Sequence, residues 1–337
     1  MHSQTVKDFA PSCLFLHFCD AMNVTIDEQM LILCFLLLLG DWLVHGSRAT
    51  PFAQMYREPG SDESKPRNKH PVATQSLNLV DMNVLKDLFY ATNGPHWTYA
   101  NVTGDIFDLP NIIQRVAWNF SNPDANPCTE GWTGVICDRI PEQDEYYVLQ
   151  LYLEYFNMSG RLPNSIGDFE SIQEMSMLGN HLSGTIPPSV GNLTSLHGLY
   201  FDINDLTGTI PGTIANLHDL VGFGCSVNSM TGTIPEIGGL LYLHRLDIDK
   251  NMFSQTIPAS LGDLLSLNLL YLFDNRFTGP LPDELGQLIS LQGLYMSDNH
   301  FTGTLPDSLF RLADLKYLYL HHNRLSGTIP ASYSHMA

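Results

Sequence analysis

A fixed alternation of apolar and polar positions recurs through the C-terminal half of the chain. Its clearest copies read LNLLYLFDNRF from Leu267, LQGLYMSDNHF from Leu291 and LKYLYLHHNRL from Leu315. In each copy two apolar residues flank a single residue, which predicts a short strand whose alternate side chains point to opposite faces. The flanking pair is predicted to point inward, so the residue between them, Tyr319 in the third copy, is predicted to face outward.

A second motif follows each copy at a constant distance. The phrase GTIP or a close variant begins at 160, 184, 208, 232, 255, 279, 303 and 327, so six of the seven intervals are 24 residues and one, from 232 to 255, is 23. This period together with the pattern LxxLxLxxNxL is typical of leucine-rich repeats. One such repeat cannot bury its inward face alone, whereas stacked repeats form a continuous core and a parallel sheet. The sequence therefore predicts an α/β repeat solenoid with eight repeats over 148–337 and a sheet roughly 35–40 Å long.

An asparagine stands at the ninth position of seven of the eight repeats. Its side-chain amide is suited to satisfy backbone groups where the chain turns inward after the strand, so these residues are interpreted as structural. The first repeat has Phe156 instead, as expected for a terminal repeat that meets a cap. The asparagines are Asn180, Asn204, Asn228, Asn251, Asn275, Asn299 and Asn323.

The consensus LxxLxLxxNxLSGTIPxxLGxL resembles the plant-type leucine-rich-repeat family over Val148 to Pro330. That family includes receptor-like kinases, receptor-like proteins and secreted polygalacturonase inhibitors. The resemblance implies a right-handed superhelix with a concave parallel sheet, an irregular or 3₁₀ convex side and a helical N-terminal cap.

The segment 77–147 is assigned to that cap. It contains the family signature C-x3-W-x-G-V-x-C, and the resemblance implies a disulfide between Cys128 and Cys137; a zinc site is the alternative, but it lacks nearby ligand partners. A helix is predicted from Asp81 to Thr92, with Asp81 capping its start. Cys225 occupies an inward strand position and is predicted to be a buried small hydrophobe.

The N-terminal region indicates export. Residues 1–46 are assigned to an extension plus a signal peptide whose hydrophobic core spans 30–44, because the run MLILCFLLLL is too short for a bilayer-spanning helix. A start at Met22 or Met30, a signal anchor and a buried segment are alternatives. The polar stretch 47–76 is predicted to be a disordered linker. Four sequons downstream of the predicted signal peptide fit a secreted glycoprotein, at Asn101, Asn119, Asn157 and Asn192.

The net charge and the absence of catalytic motifs exclude several classes of function. Lys plus Arg number 16 against 35 for Asp plus Glu, a net charge of -19, which disfavours nucleic acid and anionic membranes and favours a cationic ligand. The sequence holds no GxGxxG, P-loop, HExxH or GxSxG, so no enzyme activity, cofactor or metal is expected.

The outward positions of the strands form columns on the predicted concave face. Tyrosine fills five of eight positions in one column, and acids stand beside it, which favours a protein or peptide ligand, possibly basic. The alternative is that these aromatics only support packing within the sheet. The candidate ligand-binding residues are Tyr152, Tyr200, Asp202, Asp247, Asp249, Tyr271, Phe273, Tyr295, Tyr319 and His321.

Two other sets of residues on this face were weighed as cation ligands. Asp247, Asp249, Asp274 and Asp298 lack a calcium-loop motif, so a solvated acidic face is the preferred interpretation. His321 and His322 show no recognised metal spacing and are expected to be exposed.

Three functions fit these features. The first is the ligand-binding ectodomain of a receptor, with a membrane tether or co-receptor; the second is a secreted enzyme inhibitor or defence protein of polygalacturonase-inhibitor type. The third is a structural or ice-binding surface protein, which the varied columns disfavour. Only ASYSHMA follows the last GTIP, so we expect no C-terminal cap and either a longer receptor or a covering partner chain. The sequence does not set the oligomeric state.

Overall fold

A computed structural model describes residues 77–98, 116–140 and 145–328. The predicted extension, signal peptide and linker over 1–76 lie outside these residues, as does the Asn101 sequon. Within the described ranges, no helix has the length and apolar character needed to cross a membrane.

The predicted strands align in one nine-stranded sheet. Eight of its strands run parallel, one from each repeat, and each pairs with the strand of the next repeat. The first strand was not predicted: it belongs to the cap and pairs antiparallel with the second. In sheet order the strands are β1 (Val135–Ile140), β2 (Glu145–Tyr152), β4 (Glu174–Ser176), β6 (Gly198–Tyr200), β8 (Gly222–Gly224), β10 (Arg245–Asp247), β12 (Leu269–Tyr271), β14 (Gly293–Tyr295) and β16 (Tyr317–Tyr319).

A second run of short parallel strands lies on the other side of the core. Its strands follow the ninth position of each repeat, and they were not predicted, because only irregular or 3₁₀ structure was expected there. Its strands are β3 (Ser159–Arg161), β5 (His181–Gly184), β7 (Asp205–Gly208), β9 (Ser229–Gly232), β11 (Met252–Gln255), β13 (Arg276–Gly279), β15 (His300–Gly303) and β17 (Arg324–Leu325).

A 3₁₀ helix follows most of these strands, as predicted for this side. The six helices are Asn164–Asp168, Pro188–Asn192, Gly212–Asn216, Ala259–Asp263, Asp283–Gln287 and Asp307–Arg311. The repeat with the 23-residue interval has turns there instead, because one residue is missing between its GTIP phrase and its next strand. A small apolar cavity of about 10 Å³ lies beside it, between Ile214, Phe223 and Ile237.

Between the two runs of strands lies a continuous apolar core. Leu151, Leu199 and Leu294 are fully buried, as the inward strand positions require. Phe253, Phe277 and Phe301 stack in consecutive repeats with centroid separations of 6.3 and 6.0 Å. Cys225 is a buried free cysteine, which confirms its predicted position in the core.

The repeated asparagines connect neighbouring repeats through their side-chain amides. Asn251 Nδ2 donates to Cys225 O of the preceding repeat at 2.9 Å, and its Oδ1 accepts from Met230 N at 2.9 Å. The other six repeat this arrangement, with Oδ1 accepting an amide hydrogen from the preceding repeat. The structural role predicted for these residues is therefore confirmed.

The cap is helical, but its first helix begins earlier than predicted. Helix α1 (Leu79–Ala91) is capped by Asn78, whose Oδ1 accepts from Val80 N at 2.8 Å, so the assignment of Asp81 as the cap was wrong. Asp81 is instead fully buried, and its carboxylate accepts the Val148 amide hydrogen of β2 at 2.7 Å. Burial raises the pKa of Asp81 to about 6. This carboxylate joins the cap to the first repeat.

The rest of the cap is held by a disulfide and a tryptophan cluster. The disulfide joins Cys128 in the short helix α2 (Pro127–Glu130) to Cys137 in β1. Trp97, Trp118 and Trp132 are buried and in ring contact, with centroids 4.9 and 5.7 Å apart. A 3₁₀ helix (Gly94–His96) lies directly before the first of them.

Candidate functional site

The columns read from the sequence are present on the outer face of the nine-stranded sheet. Strand register places Tyr271 beside Tyr295 and Tyr295 beside Tyr319, one residue from each of three consecutive repeats. The chain neighbours of Tyr271 and Tyr295 are buried, as is Leu318 before Tyr319, while the tyrosines are half-buried, as the alternation predicts. Leu320, which follows Tyr319, is only partly buried. The whole column is Tyr152, Ser176, Tyr200, Gly224, Asp247, Tyr271, Tyr295 and Tyr319.

Three of these tyrosines form a continuous stack, here called the tyrosine stack: Tyr271, Tyr295 and Tyr319. Their ring centroids are 4.4 and 5.0 Å apart, and their planes are nearly parallel at 11° and 13°. The Arg245 guanidinium lies 5.1 Å from the centroid of Tyr271, on the side facing the shorter repeat. Stacked rings keep one face or edge open while their orientation is fixed, which suits them to contact a ligand at low entropic cost.

Three aspartates lie next to the stack and are here called the acidic cluster: Asp202, Asp247 and Asp249. Asp202 Oδ1 accepts from Ser226 N at 2.8 Å, and Ser226 Oγ donates to Asp249 Oδ1. The expectation that Asp247 and Asp249 are solvated was wrong, since only 9% and 8% of these residues are exposed. Arg245 pairs with the Asp247 carboxylate, and Ser226 donates a hydrogen bond to the Asp249 carboxylate. The Asp202 carboxylate rests against Gly224 of the adjacent repeat, where a side chain would collide with it.

Burial makes the acidic cluster reluctant to ionise. It raises the pKa of Asp202 to about 7, and repulsion from Asp247 adds to the effect. Burial likewise raises the pKa of Asp249 to about 6, and it raises that of Asp247 despite the opposing charge of Arg245. Asp247 Oδ1 has no hydrogen-bond partner within the described part of the chain. The cluster therefore offers one acceptor, Asp247 Oδ1, that no described residue satisfies, and a cation placed beside it would favour ionisation of the carboxyls.

Arg245 was not predicted from the sequence as a residue of this site. Its Nε donates to Asp247 Oδ2 at 2.6 Å, so it links the acidic cluster to the tyrosine stack. It lies in the outward column two residues before Asp247, which continued alternation would have revealed. Burial lowers the pKa of Arg245, but the Asp247 charge outweighs this and the net change is upward, so the guanidinium stays charged.

The remaining predicted residues lie outside these two groups. Tyr152 donates its hydroxyl hydrogen to Glu174, and the Tyr200 hydroxyl lies over Gly222, so neither joins the stack. Half-buried Phe273 has the Lys250 ammonium 5.5 Å from its ring centroid. Six of the ten candidate residues therefore make up the acidic cluster and the tyrosine stack: Asp202, Asp247, Asp249, Tyr271, Tyr295 and Tyr319.

Two exposed apolar side chains flank the acidic cluster. Ile203 and Val227 follow Asp202 and Ser226 directly, and they are 45% and 39% exposed. Both have φ of 54°, a left-handed conformation that β-branched residues rarely adopt. The same turn position is left-handed in every repeat, so this conformation belongs to the repeat geometry, and it is the exposed apolar side chain that sets these two positions apart.

His321 lies at the far end of the tyrosine stack, with its ring 6.2 Å from that of Tyr319. Its side chain is 27% exposed against 56% for His322, so the expected exposure holds for His322 and is wrong for His321. Among the described residues, one group of metal-ligating side chains comes within 4.8 Å of one another: Asp298, His321 and His322. Their sequence spacing gave no sign of it, because Asp298 belongs to the preceding repeat.

The three sequons within the described residues lie at the surface. Asn119, Asn157 and Asn192 are all exposed, so an attached glycan would meet no packed side chain. Glycosylation at these positions stays a prediction.

Comparison with known proteins identifies the repeats. The Leucine Rich Repeat family model matches residues 171–193, 266–288, 290–312 and 314–336. These repeats are leucine-rich repeats. The predicted solenoid and its resemblance to plant-type leucine-rich-repeat proteins are thereby confirmed, while a search of the curated proteins finds no match.

Solved leucine-rich-repeat structures include plant receptors. The plant peptide hormone receptor RGFR1, in complex with RGF2, is 35% identical over 53% of this chain and 29% of its own, with a TM-score of 0.52. The Arabidopsis receptor kinase HAESA, in complex with the peptide hormone IDA and the co-receptor SERK1, is 26% identical over 77% of this chain and 44% of its own, with a TM-score of 0.55. The chain thus spans less than half the length of these two receptor structures.

A third structure shows how widely the fold is used. A plant ice-binding protein is 21% identical over 76% of this chain and 90% of its own, with a TM-score of 0.50. At this identity the likeness concerns the fold alone.

Proposed function

We propose that this leucine-rich-repeat solenoid is an extracellular binding module that recognises a peptide or an extended protein segment carrying a basic side chain. The basic group enters the acidic cluster, and the adjoining segment lies along the tyrosine stack. The observation that carries the proposal is the Asp247 carboxylate, which is buried and paired on one oxygen only.

Charge supports a cationic ligand. Three carboxylates with raised pKa values share one arginine, so an incoming ammonium or guanidinium would gain hydrogen bonds and lower the free energy of all three. The tyrosine stack supplies apolar contact area beside this point, and Ile203 and Val227 supply more on its other side.

The structural neighbours support a peptide as the kind of ligand. RGFR1 and HAESA were solved with peptide hormones bound, and HAESA with a co-receptor as well. A co-receptor or a membrane tether for this chain belongs to the same proposal. The mixed residues of the outward columns give no repeated array, so no observation favours the ice-binding alternative.

A library of random ten-residue peptides, screened against the protein as it is secreted, tests the proposal. We expect enriched peptides to contain Lys or Arg, and their affinity to fall at least tenfold with Asp249→Asn or Tyr295→Ala, as for a buried charge pair or an aromatic anchor. Asp219→Asn, an exposed acid away from the sheet face, is the matched control. Enriched peptides without cations, or equal binding by all variants, would contradict the proposal.

Localisation is tested separately by mass spectrometry of the protein from a secretory eukaryotic cell. We expect it in the medium or at the cell surface, with an N-terminus near Ser47 and a glycan on Asn119 or Asn192. Recovery only from the cytosol, unglycosylated and with Met1 intact, would refute the extracellular assignment.

A further inference from the structure

A second cluster of polar side chains lies beyond the tyrosine stack, at the turn that follows each strand. Asp298 and His322 occupy the same position in consecutive repeats, and both have φ of 54°. Backbone hydrogen bonds hold the two turns in register: Asp298 N donates to His321 O at 3.1 Å, and Asn299 N donates to His322 O at 3.2 Å. The fold therefore places one carboxylate directly beside two imidazoles.

The side chains converge on that carboxylate. His322 Nδ1 lies 2.7 Å from Asp298 Oδ1, and His321 Nε2 lies 3.8 Å from Asp298 Oδ2. The imidazole rings are 4.9 Å apart and nearly perpendicular at 79°, so each presents a different ring edge to the same point. An ion pair with Asp298 needs only one histidine. The second histidine, at the adjacent position of the same turn, gives the cluster the set of ligand types found in metal sites.

Ligand chemistry selects the kind of ion. Two imidazole nitrogens and one carboxylate oxygen suit Zn²⁺ and similar first-row transition ions, whereas Ca²⁺ and Mg²⁺ prefer oxygen alone. With bond lengths of about 2.0–2.1 Å, ligand atoms on a tetrahedral zinc are roughly 3.3 Å apart. The three ligand atoms already lie within 4.8 Å of one another, so closing the set requires only small side-chain rotations.

We propose that Asp298, His321 and His322 form a site for a divalent transition-metal ion of the zinc type. The Asp298 and His322 side chains are 44% and 56% exposed, so an ion can enter from solvent on their side, while His321 is 27% exposed beside the tyrosine stack. Three protein ligands leave at least one coordination position for water or for a donor atom of a bound partner. The site is separate from the acidic cluster and does not depend on the proposed peptide.

Isothermal titration of the untagged full-length protein with ZnCl₂ tests this site. We expect one ion per chain at micromolar affinity, and a loss of tenfold or more with His322→Asn, His321→Gln or Asp298→Asn, because removing a ligand costs at least as much as removing an outer partner. Asparagine tolerates left-handed φ, so the changes at 298 and 322 leave the turns intact. His300→Gln, an exposed histidine of the same repeat as Asp298, is the matched control.

A second measurement uses the wild-type protein alone, so its result does not depend on whether a variant folds. Co²⁺ bound to the wild-type protein is expected to give a visible absorption spectrum typical of nitrogen and oxygen ligands, and Zn²⁺ is expected to abolish it. Absence of binding by wild type at 100 µM Zn²⁺, roughly a hundredfold above micromolar affinity, would overturn the proposal. Equal affinity in the three ligand variants, each shown by circular dichroism to be folded, would overturn it as well.

Discussion

Replacing Asp202 by asparagine is expected to stabilise the protein by an amount that grows with pH. The pKa of this carboxyl is about 7 in the folded protein against an ordinary value of 3.8. Between these values the folded chain keeps a proton that the unfolded chain has released. The stability that the protonated group contributes is therefore complete below the unfolded pKa and is lost as the pH rises through about 7.

The size of the effect follows from the same two values. Full ionisation at pH 8 corresponds to about 4 kcal/mol of lost stability, at about 1.4 kcal/mol for each pH unit of separation, and this is a ceiling because local rearrangement relieves part of it. The substituted asparagine side chain cannot ionise, and its Oδ1 can still accept from Ser226 N, so the variant escapes the penalty. We expect a gain of up to about 4 kcal/mol at pH 8 and close to none at pH 4.

Urea unfolding followed by far-ultraviolet circular dichroism at pH 4, 6 and 8 measures this gain. Asp219→Asn changes an exposed acid outside the cluster and should alter stability by less than about 0.5 kcal/mol at every pH. An Asp202→Asn gain that is equal at pH 4 and pH 8, or a loss at pH 8, would show that Asp202 is not the proton-retaining group described above.

Three further changes test other parts of the structure by the same unfolding assay. Asn251→Ala should cost about 2–3 kcal/mol, because it strands the Met230 amide hydrogen; a loss below about 1 kcal/mol would contradict this role. Replacing both Cys128 and Cys137 by serine should cost about 3 kcal/mol, and wild type in reductant should match the variant. Val227→Gly should leave stability unchanged or raise it by up to about 1 kcal/mol, since it relieves left-handed strain, yet weaken peptide binding; a clear loss of stability would argue against strain there.

The repeat pattern was sufficient to predict the strands and the direction of most side chains. The alternation around Tyr295 and the inward position of Cys225 are local properties, set by a period of two along the strand. The role of Asn251 could be predicted as well, because the same residue recurs wherever the chain makes the same turn.

Properties that depend on the neighbouring repeat were not predictable in this way. Asp249 is buried beside Ser226, 23 residues earlier, whose hydroxyl donates a hydrogen bond to it. Asp202 is half-buried, and its carboxylate rests against Gly224 of the next repeat. A single strand gives no indication of either contact. The comparison of columns across repeats placed the three aspartates on this face, but it did not show that Asp247 and Asp249 are buried or that Arg245 pairs with Asp247.

The asparagines also affect the order in which the repeats can complete their hydrogen bonds during synthesis. Each Oδ1 accepts the amide hydrogen of a residue 22 positions earlier in most repeats, as Asn180 does for Met158 and Asn204 for Leu182. A nascent chain emerges N-terminus first. The backbone amide of one repeat therefore has no asparagine acceptor until the following repeat has been synthesised. Each repeat therefore completes its hydrogen bonds only when the next asparagine has been added. If a ribosome stalls within a repeat, the amide without its acceptor lies in the preceding repeat.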